Sequence, residues 1–189
     1  PIPVRIASGD LNGDGRAEIA VQTPTLSLVL NPEAGGTLTE IVSVSKELDL
    51  GDVFGRRPEA YHTWVKATAP GAEQEVAKTI HDRVASKEHG LEAGLAYDRF
   101  RRASLLDGFF PDTGLLDALE PWPLALFCLG DRQMTHRLEE TSENISVEFI
   151  LENPNRWPFS IKKQVLVDLT EPEVRVSYTL KWSGPSSIK

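Results

Sequence analysis

The stretch that decides the fold is Ile145-Ser146-Val147-Glu148-Phe149-Ile150-Leu151. Apolar and polar side chains alternate along it, the pattern of a strand with one face on a core and one in water. Downstream, residues 161–169 alternate less cleanly, with Val165, Val167 and Leu169 on one face. Val174-Arg175-Val176-Ser177-Tyr178-Thr179-Leu180-Lys181-Trp182 alternates again. Turn formers separate the runs, at Glu152-Asn153-Pro154-Asn155 and Thr170-Glu171-Pro172-Glu173. Three such strands in a row read as an antiparallel meander with one wet face. Upstream, residues 19–22, 26–30 and 38–44 read as further short strands, with a turn over 31–36 ending in Gly35-Gly36. Many strands at short spacing predict an all-β fold, a twisted antiparallel β-sandwich in one domain over 1–189. Residues 91–106 carry good helix formers at partial helical spacing, and read either as one short helix or as an extended segment crossing the sheet edge.

The chain has 189 residues and a formal net charge of −8, which argues against a nucleic-acid or anionic-membrane partner. No apolar run is long enough to span a bilayer, and no signal peptide is evident. Cys128, the single cysteine, lies in the apolar run Pro123-Leu124-Ala125-Leu126-Phe127-Cys128-Leu129 and reads as a buried small hydrophobe. With no internal disulfide framework, the expected setting is intracellular and cytoplasmic. The chain starts with Pro1, and Ser183-Gly184-Pro185-Ser186-Ser187 reads as a turn towards another strand. Both features suggest a piece of something larger.

Asp10-Leu11-Asn12-Gly13-Asp14-Gly15-Arg16-Ala17-Glu18-Ile19 carries the densest chemistry. Side-chain oxygens recur at Asp10, Asn12, Asp14 and Glu18, and glycines let the backbone curl around a point. Calcium takes six to eight oxygen ligands, so these four side chains with the Arg16 carbonyl form a candidate calcium loop. It is shorter than an EF-hand, whose closing Glu would fall on Val21. The alternative is an Asx/Gly turn that caps a strand without metal.

Arg56-Arg57-Pro58-Glu59-Ala60-Tyr61-His62 packs two cations, a carboxylate, a phenol and an imidazole into seven residues. In a β context Arg57, Glu59 and Tyr61 share one face. Planar polar groups for hydroxyl pairs and aromatic faces for sugar rings make Arg57, Glu59, Tyr61 and His62 candidate carbohydrate ligands. The competing reading is a structural Arg–Glu pair, with His62 bonded to backbone. His81, His89 and His136 form no helical metal spacing. Among the tryptophans, Trp122 and Trp157 precede prolines and are the candidates for exposure, whereas Trp64 and Trp182 sit in strand patterns and default to core.

Taken together, DLNGDGRAEI at 10–19, NPEAGGTLTEI at 31–41, RRPEAYH at 56–62 and IHDRVASKEHGLEAGLAYDRFRRASLLDGFF at 80–110 resemble the C-terminal β domain of glycoside hydrolase family 57. That family holds α-amylase-like enzymes and 4-α-glucanotransferases. The resemblance implies a galactose-mutarotase-like supersandwich, and a catalytic carboxylate pair in an N-terminal barrel that is the partner of this domain. It also implies an α-glucan or other carbohydrate as ligand. The sequence departs from the family pattern at Gly108, where a histidine is expected after Asp107. The expected function is therefore a non-catalytic domain with a structural calcium site. The rivals are a stand-alone calcium-dependent carbohydrate-binding module and a mutarotase-like aldose epimerase.

Overall fold

The computed structural model describes residues 3–51, 55–67, 94–95, 97–98, 103–109, 127–152 and 158–184. The chain divides into two compact units, Pro1–Val53 with Arg102–Lys189, and Phe54–Arg101.

The first unit is built from antiparallel strands. β1 (Arg5–Gly9), β2 (Glu18–Gln22), β3 (Leu26–Asn31), β4 (Thr37–Ser43) and β5 (Leu48–Asp49) form one sheet in sequence order. A two-stranded ribbon joins β6 (Gly108–Phe109) to β7 (Phe127–Cys128). β8 (Thr135–Glu140), β9 (Asn144–Glu152), β10 (Phe159–Asp168) and β11 (Val174–Trp182) form a second sheet, a plain meander in the order β11-β10-β9-β8. The expected twisted antiparallel β-sandwich is what forms.

Alternation sets the core. From the first sheet come Ile19, Val21, Leu28, Leu30 and Leu38; from the second come Ile145, Val147, Phe149, Phe159, Ile161, Val165 and Val167. Leu129, Met134 and buried Cys128 fill in from the chain between the sheets. Burying one such side chain stabilises by about 1.5–3 kcal/mol, so this shared face carries the unit.

The 31–36 turn is a 3₁₀ turn, Pro32–Ala34. The Asn31 side chain accepts from the Glu33 and Ala34 amides at 3.0 and 3.1 Å. Gly35 and Gly36 follow at φ 74° and 62°, a region that favours glycine. A Cβ on Gly35 would lie 2.4 Å from the Leu129 carbonyl oxygen, and one on Gly36 2.7 Å from the Phe149 ring. No side chain fits at either place.

Several expectations change. Among the described residues the α-helix is α1 (Ala60–Ala67), in the second unit, a place where the sequence reading offered no helix beside that over 91–106. At the far end of that second segment Ser104 forms an isolated antiparallel bridge to Leu38; most of the rest lies outside the described residues. Trp64 sits on α1, not on a strand. Trp182 does lie on a strand, but it is 42% exposed because the core face of the second sheet runs out at β11. Trp122, Trp157, His81 and His89 fall outside the described residues. Among the described residues no helix is long and apolar enough to cross a membrane.

Candidate functional site

The 10–18 loop folds on itself. Asp10 accepts from the amides of Gly13 (2.7 Å), Asp14 (3.1 Å) and Gly15 (2.9 Å). Asn12 Oδ1 accepts from the Asp14 amide at 2.8 Å, and Asp14 Oδ1 from the Arg16 amide at 2.9 Å. Glu18 opens β2 and is 1% exposed. Its Oε2 accepts from the Leu11 amide at 3.0 Å. Its Oε1 accepts from the side-chain amides of Asn12 (3.1 Å) and Asn31 (3.2 Å). Antiparallel pairing of β2 with β3 brings Glu18 beside Asn31, so loop and 3₁₀ turn share one buried carboxylate.

Donor chemistry fits a hard cation: three carboxylates, one amide oxygen and the Arg16 carbonyl lie in nine residues. Asp10, Asp14 and Glu18 form no ion pair with any described residue. Among the described residues no three His, Cys, Asp or Glu side chains converge as a metal cluster, since N–H donors hold these oxygens turned into the loop. Asp10, Asn12, Asp14, Glu18 and the Arg16 carbonyl are the groups that would hold an ion.

The second candidate set does not share a strand face. Arg57 and Glu59 lie in the irregular lead into α1, while Tyr61 and His62 lie in its first turn. A helical turn rotates Tyr61 away from the two-residue repeat that would have aligned it with Arg57 and Glu59. Arg57 Nε donates to Glu59 Oε1 at 2.7 Å, with the Arg57 side chain 82% exposed. The hydrogen bond to Glu59 and its charge hold the guanidinium pKa above its ordinary value. This is a surface pair, screened by solvent and of little weight in stability. His62 closes the helix start: its Nδ1 accepts from the Glu59 amide at 3.0 Å, and its own amide donates to the Glu59 carbonyl at 2.9 Å.

The structure adds Tyr97, which the sequence did not single out. The His62 ring lies between Tyr61 (4.3 Å, edge-on) and Tyr97 (5.5 Å, tilted). Arg56 holds this neighbour in place, because its amide donates to Asp98 Oδ2 at 2.7 Å and its carbonyl accepts the Asp98 amide at 2.7 Å. Tyr61 is exposed. An exposed phenol against an imidazole, in the same short stretch as an Arg–Glu pair, brings a ring face and planar polar groups into one segment.

A third cluster escaped the sequence reading. Lys163 falls on the core face of β10, between Ile161 and Val165, and has no exposed surface. Its Nζ contacts the carbonyls of Gly35 (2.9 Å), Gly36 (3.3 Å) and Leu105 (2.7 Å), and Asp107 Oδ2 at 2.6 Å. Leu105 is held at φ 61°, unusual for a branched side chain. The Tyr178 hydroxyl donates to Asp107 Oδ1 at 3.0 Å, and Lys163 Nζ lies 5.6 Å from the Tyr178 ring centroid. Burial pushes the Lys163 pKa down, partly opposed by the hydrogen bond to Asp107. Burial, then the Asp107 charge, pushes Tyr178 well up. The signal available in the sequence was Lys163 interrupting the apolar phase of β10.

Comparison with known proteins gives the family. The family model for the C-terminal domain of alpha-amylase/4-alpha-glucanotransferase matches residues 10–188. An alpha-amylase 1 of Dictyoglomus thermophilum is 36% identical over 116 residues, 61% of this chain and 16% of that protein. A 4-alpha-glucanotransferase of Thermococcus litoralis is 36% identical over 109 residues, 57% of this chain and 16% of that protein. A crystal structure of 4-alpha-glucanotransferase from Thermococcus litoralis superposes with a TM-score of 0.64 at 23% identity. That superposition covers 97% of this chain and 25% of the other, and it supports the fold. The relatives are larger enzymes, of whose length this chain spans about a sixth. With a match that runs almost from end to end, the chain belongs to the C-terminal domain family of the alpha-amylases and 4-alpha-glucanotransferases.

Proposed function

We propose that this chain is the non-catalytic β domain of an α-glucan-acting glycoside hydrolase or 4-α-glucanotransferase, working beside an N-terminal catalytic barrel in the cytoplasm. The observation that carries the reading is the match over 10–188 to a C-terminal domain of enzymes so named. In this reading the Arg57–Glu59 pair and the Tyr61 and His62 rings contact the glucan, the rings on apolar sugar faces and the pair on hydroxyls. What supports it is the exposure of Tyr61, together with a preformed Arg57–Glu59 hydrogen bond in the same seven-residue stretch. Such a surface gives weak binding, near millimolar, which corresponds to about 4 kcal/mol. Titration of the chain with maltooligosaccharide tests it: a saturable millimolar isotherm, lost in Tyr61→Ala with an unchanged melt, is the expected result. No binding by the parent chain, with loss of stability in the variant, assigns these residues to structure instead.

The calcium loop is part of the same proposal. An ion held by Asp10, Asn12, Asp14, Glu18 and the Arg16 carbonyl would supply the positive charge that three carboxylates lack, and would tie the loop to β2 through buried Glu18. A chelator should then lower the melting temperature, because an ion bound only by the folded state stabilises it by mass action. A melt indifferent to both chelator and added calcium returns the loop to a self-capped turn.

A further inference from the structure

The outer edge of β4 holds a discontinuous row of partners. Leu48 and Asp49 lie opposite Ser43 and Val42, and the Leu50 amide donates to the Ile41 carbonyl at 2.7 Å. Further along, the amide and carbonyl of Leu38 are both taken by Ser104, at 2.9 and 3.0 Å, in an antiparallel bridge. The opposite edge of β4 measures the gap between these partners. There Leu28 faces Ile41 and Leu30 faces Leu38, a travel of two residues, because Thr39 is left out of the ladder. The Thr39 hydroxyl closes that irregularity by donating to the Val29 carbonyl at 3.1 Å.

Two residues on from Leu50 is position 52. Ser104 therefore occupies the place that position 52 would fill in an uninterrupted strand. The hydrogen bonds agree, because bonded positions on an antiparallel strand recur every second residue. The chain that follows Ser104 turns at Leu105 and is tied to the core before β6 begins. Leu105 and Asp107 are held by Lys163, and the Leu129 amide donates to the Asp107 carbonyl at 3.0 Å. Between these two ends lies the whole second compact unit, Phe54–Arg101.

We infer that residues 52–103 are an insertion into a single edge strand of the sandwich, a removable module that carries the Arg57, Glu59, Tyr61 and His62 surface with it. The second clause rests on the proposed glucan contact; the insertion itself does not. The reading also gives a reason for the irregularity at Thr39. It turns the Leu38 peptide outward, so that the returning chain finds a donor and an acceptor at the point of re-entry.

Two deletions test the inference against the intact chain. Joining Gly51 directly to Ser104 removes 52–103 and keeps register. Removing 52–102 retains Ala103 and slips the strand by one residue, which turns every side chain after it to the wrong face. The in-register deletion should fold, melt in one cooperative step, and melt at least about 4 °C above the slipped one. In the intact chain, hydrogen exchange at the Ser104 and Leu38 amides should be as slow as at Leu50. Failure of both deletions to fold, equal stability of the two, or loop-like exchange at Ser104 would overturn the insertion. Maltooligosaccharide binding is read separately. Binding by the intact chain and none by the folded deletion places recognition on the module. Binding that survives the deletion overturns that placement, and no binding by the intact chain sinks the glucan reading while leaving the insertion standing.

Discussion

Lys163 offers three protons to four oxygens inside a closed core. A buried charge survives only when it is paired and hydrogen-bonded, and here Asp107 and three carbonyls do both. Asp107→Ala leaves the ammonium without its counter-ion, and should destabilise the chain by about 3–5 kcal/mol in urea unfolding. Lys163→Met, which removes the charge and keeps most of the volume, should cost less than Asp107→Ala. The alkaline stability curve carries two opposed contributions. The Lys163 pKa is lower folded than unfolded, so the unfolded chain binds more protons in the window below 10.5, and stability rises with pH there. The Tyr178 pKa is higher folded than unfolded, so its contribution is complete below 10.0 and is lost as pH climbs above it. Melts from pH 8 to 12 should show Lys163→Met without the rise and Tyr178→Phe with a weaker fall. Gly35→Ala faces both an unfavourable φ and the Leu129 carbonyl at 2.4 Å, and should cost about 2 kcal/mol or more.

At the scale of elements, the loop before β2 makes the sharpest prediction. If it takes calcium, Asp14→Ala should reproduce the effect of a chelator on the melting temperature, and the two effects should not add, since both remove one ion. Simple addition of the two would separate the side chain from the metal. The meander β9-β10-β11 was legible because a strand wet on one side must alternate, and residues 145–151 and 174–182 do. β8 was missed, since Thr135-His136-Arg137-Leu138-Glu139-Glu140 is mostly exposed and only Leu138 packs on the core. β1 was missed for the same reason: it is a short edge strand with little burial. α1 was missed because Arg57, Glu59 and Tyr61 happen to repeat at two, which drew the eye from the i, i+3, i+4 spacing of Tyr61, Trp64 and Val65 in an eight-residue helix. The Lys163 cluster joins residues from four separate segments, so no local window contains it.

At the scale of the whole molecule, the isolated chain should not turn over α-glucans. Retaining hydrolysis needs two carboxyl groups about 5–5.5 Å apart on either side of a sugar. Product analysis after prolonged incubation with maltooligosaccharide checks this; turnover that disappears on mutating a residue of this chain would defeat it. One feature of the second sheet bears on how the chain behaves in concentrated solution. Val174, Val176, Tyr178, Leu180 and Trp182 continue the core row of β10 onto an outermost strand, where the last three are exposed. Among the described residues β11 is the outermost strand of its sheet. A nine-residue outermost strand with a greasy side is a template for stacking further strands, restrained here by the charges of Arg175 and Lys181. Salt that screens those two charges should therefore drive reversible self-association and, at high concentration, turbidity, while Leu180→Lys should keep the solution clear.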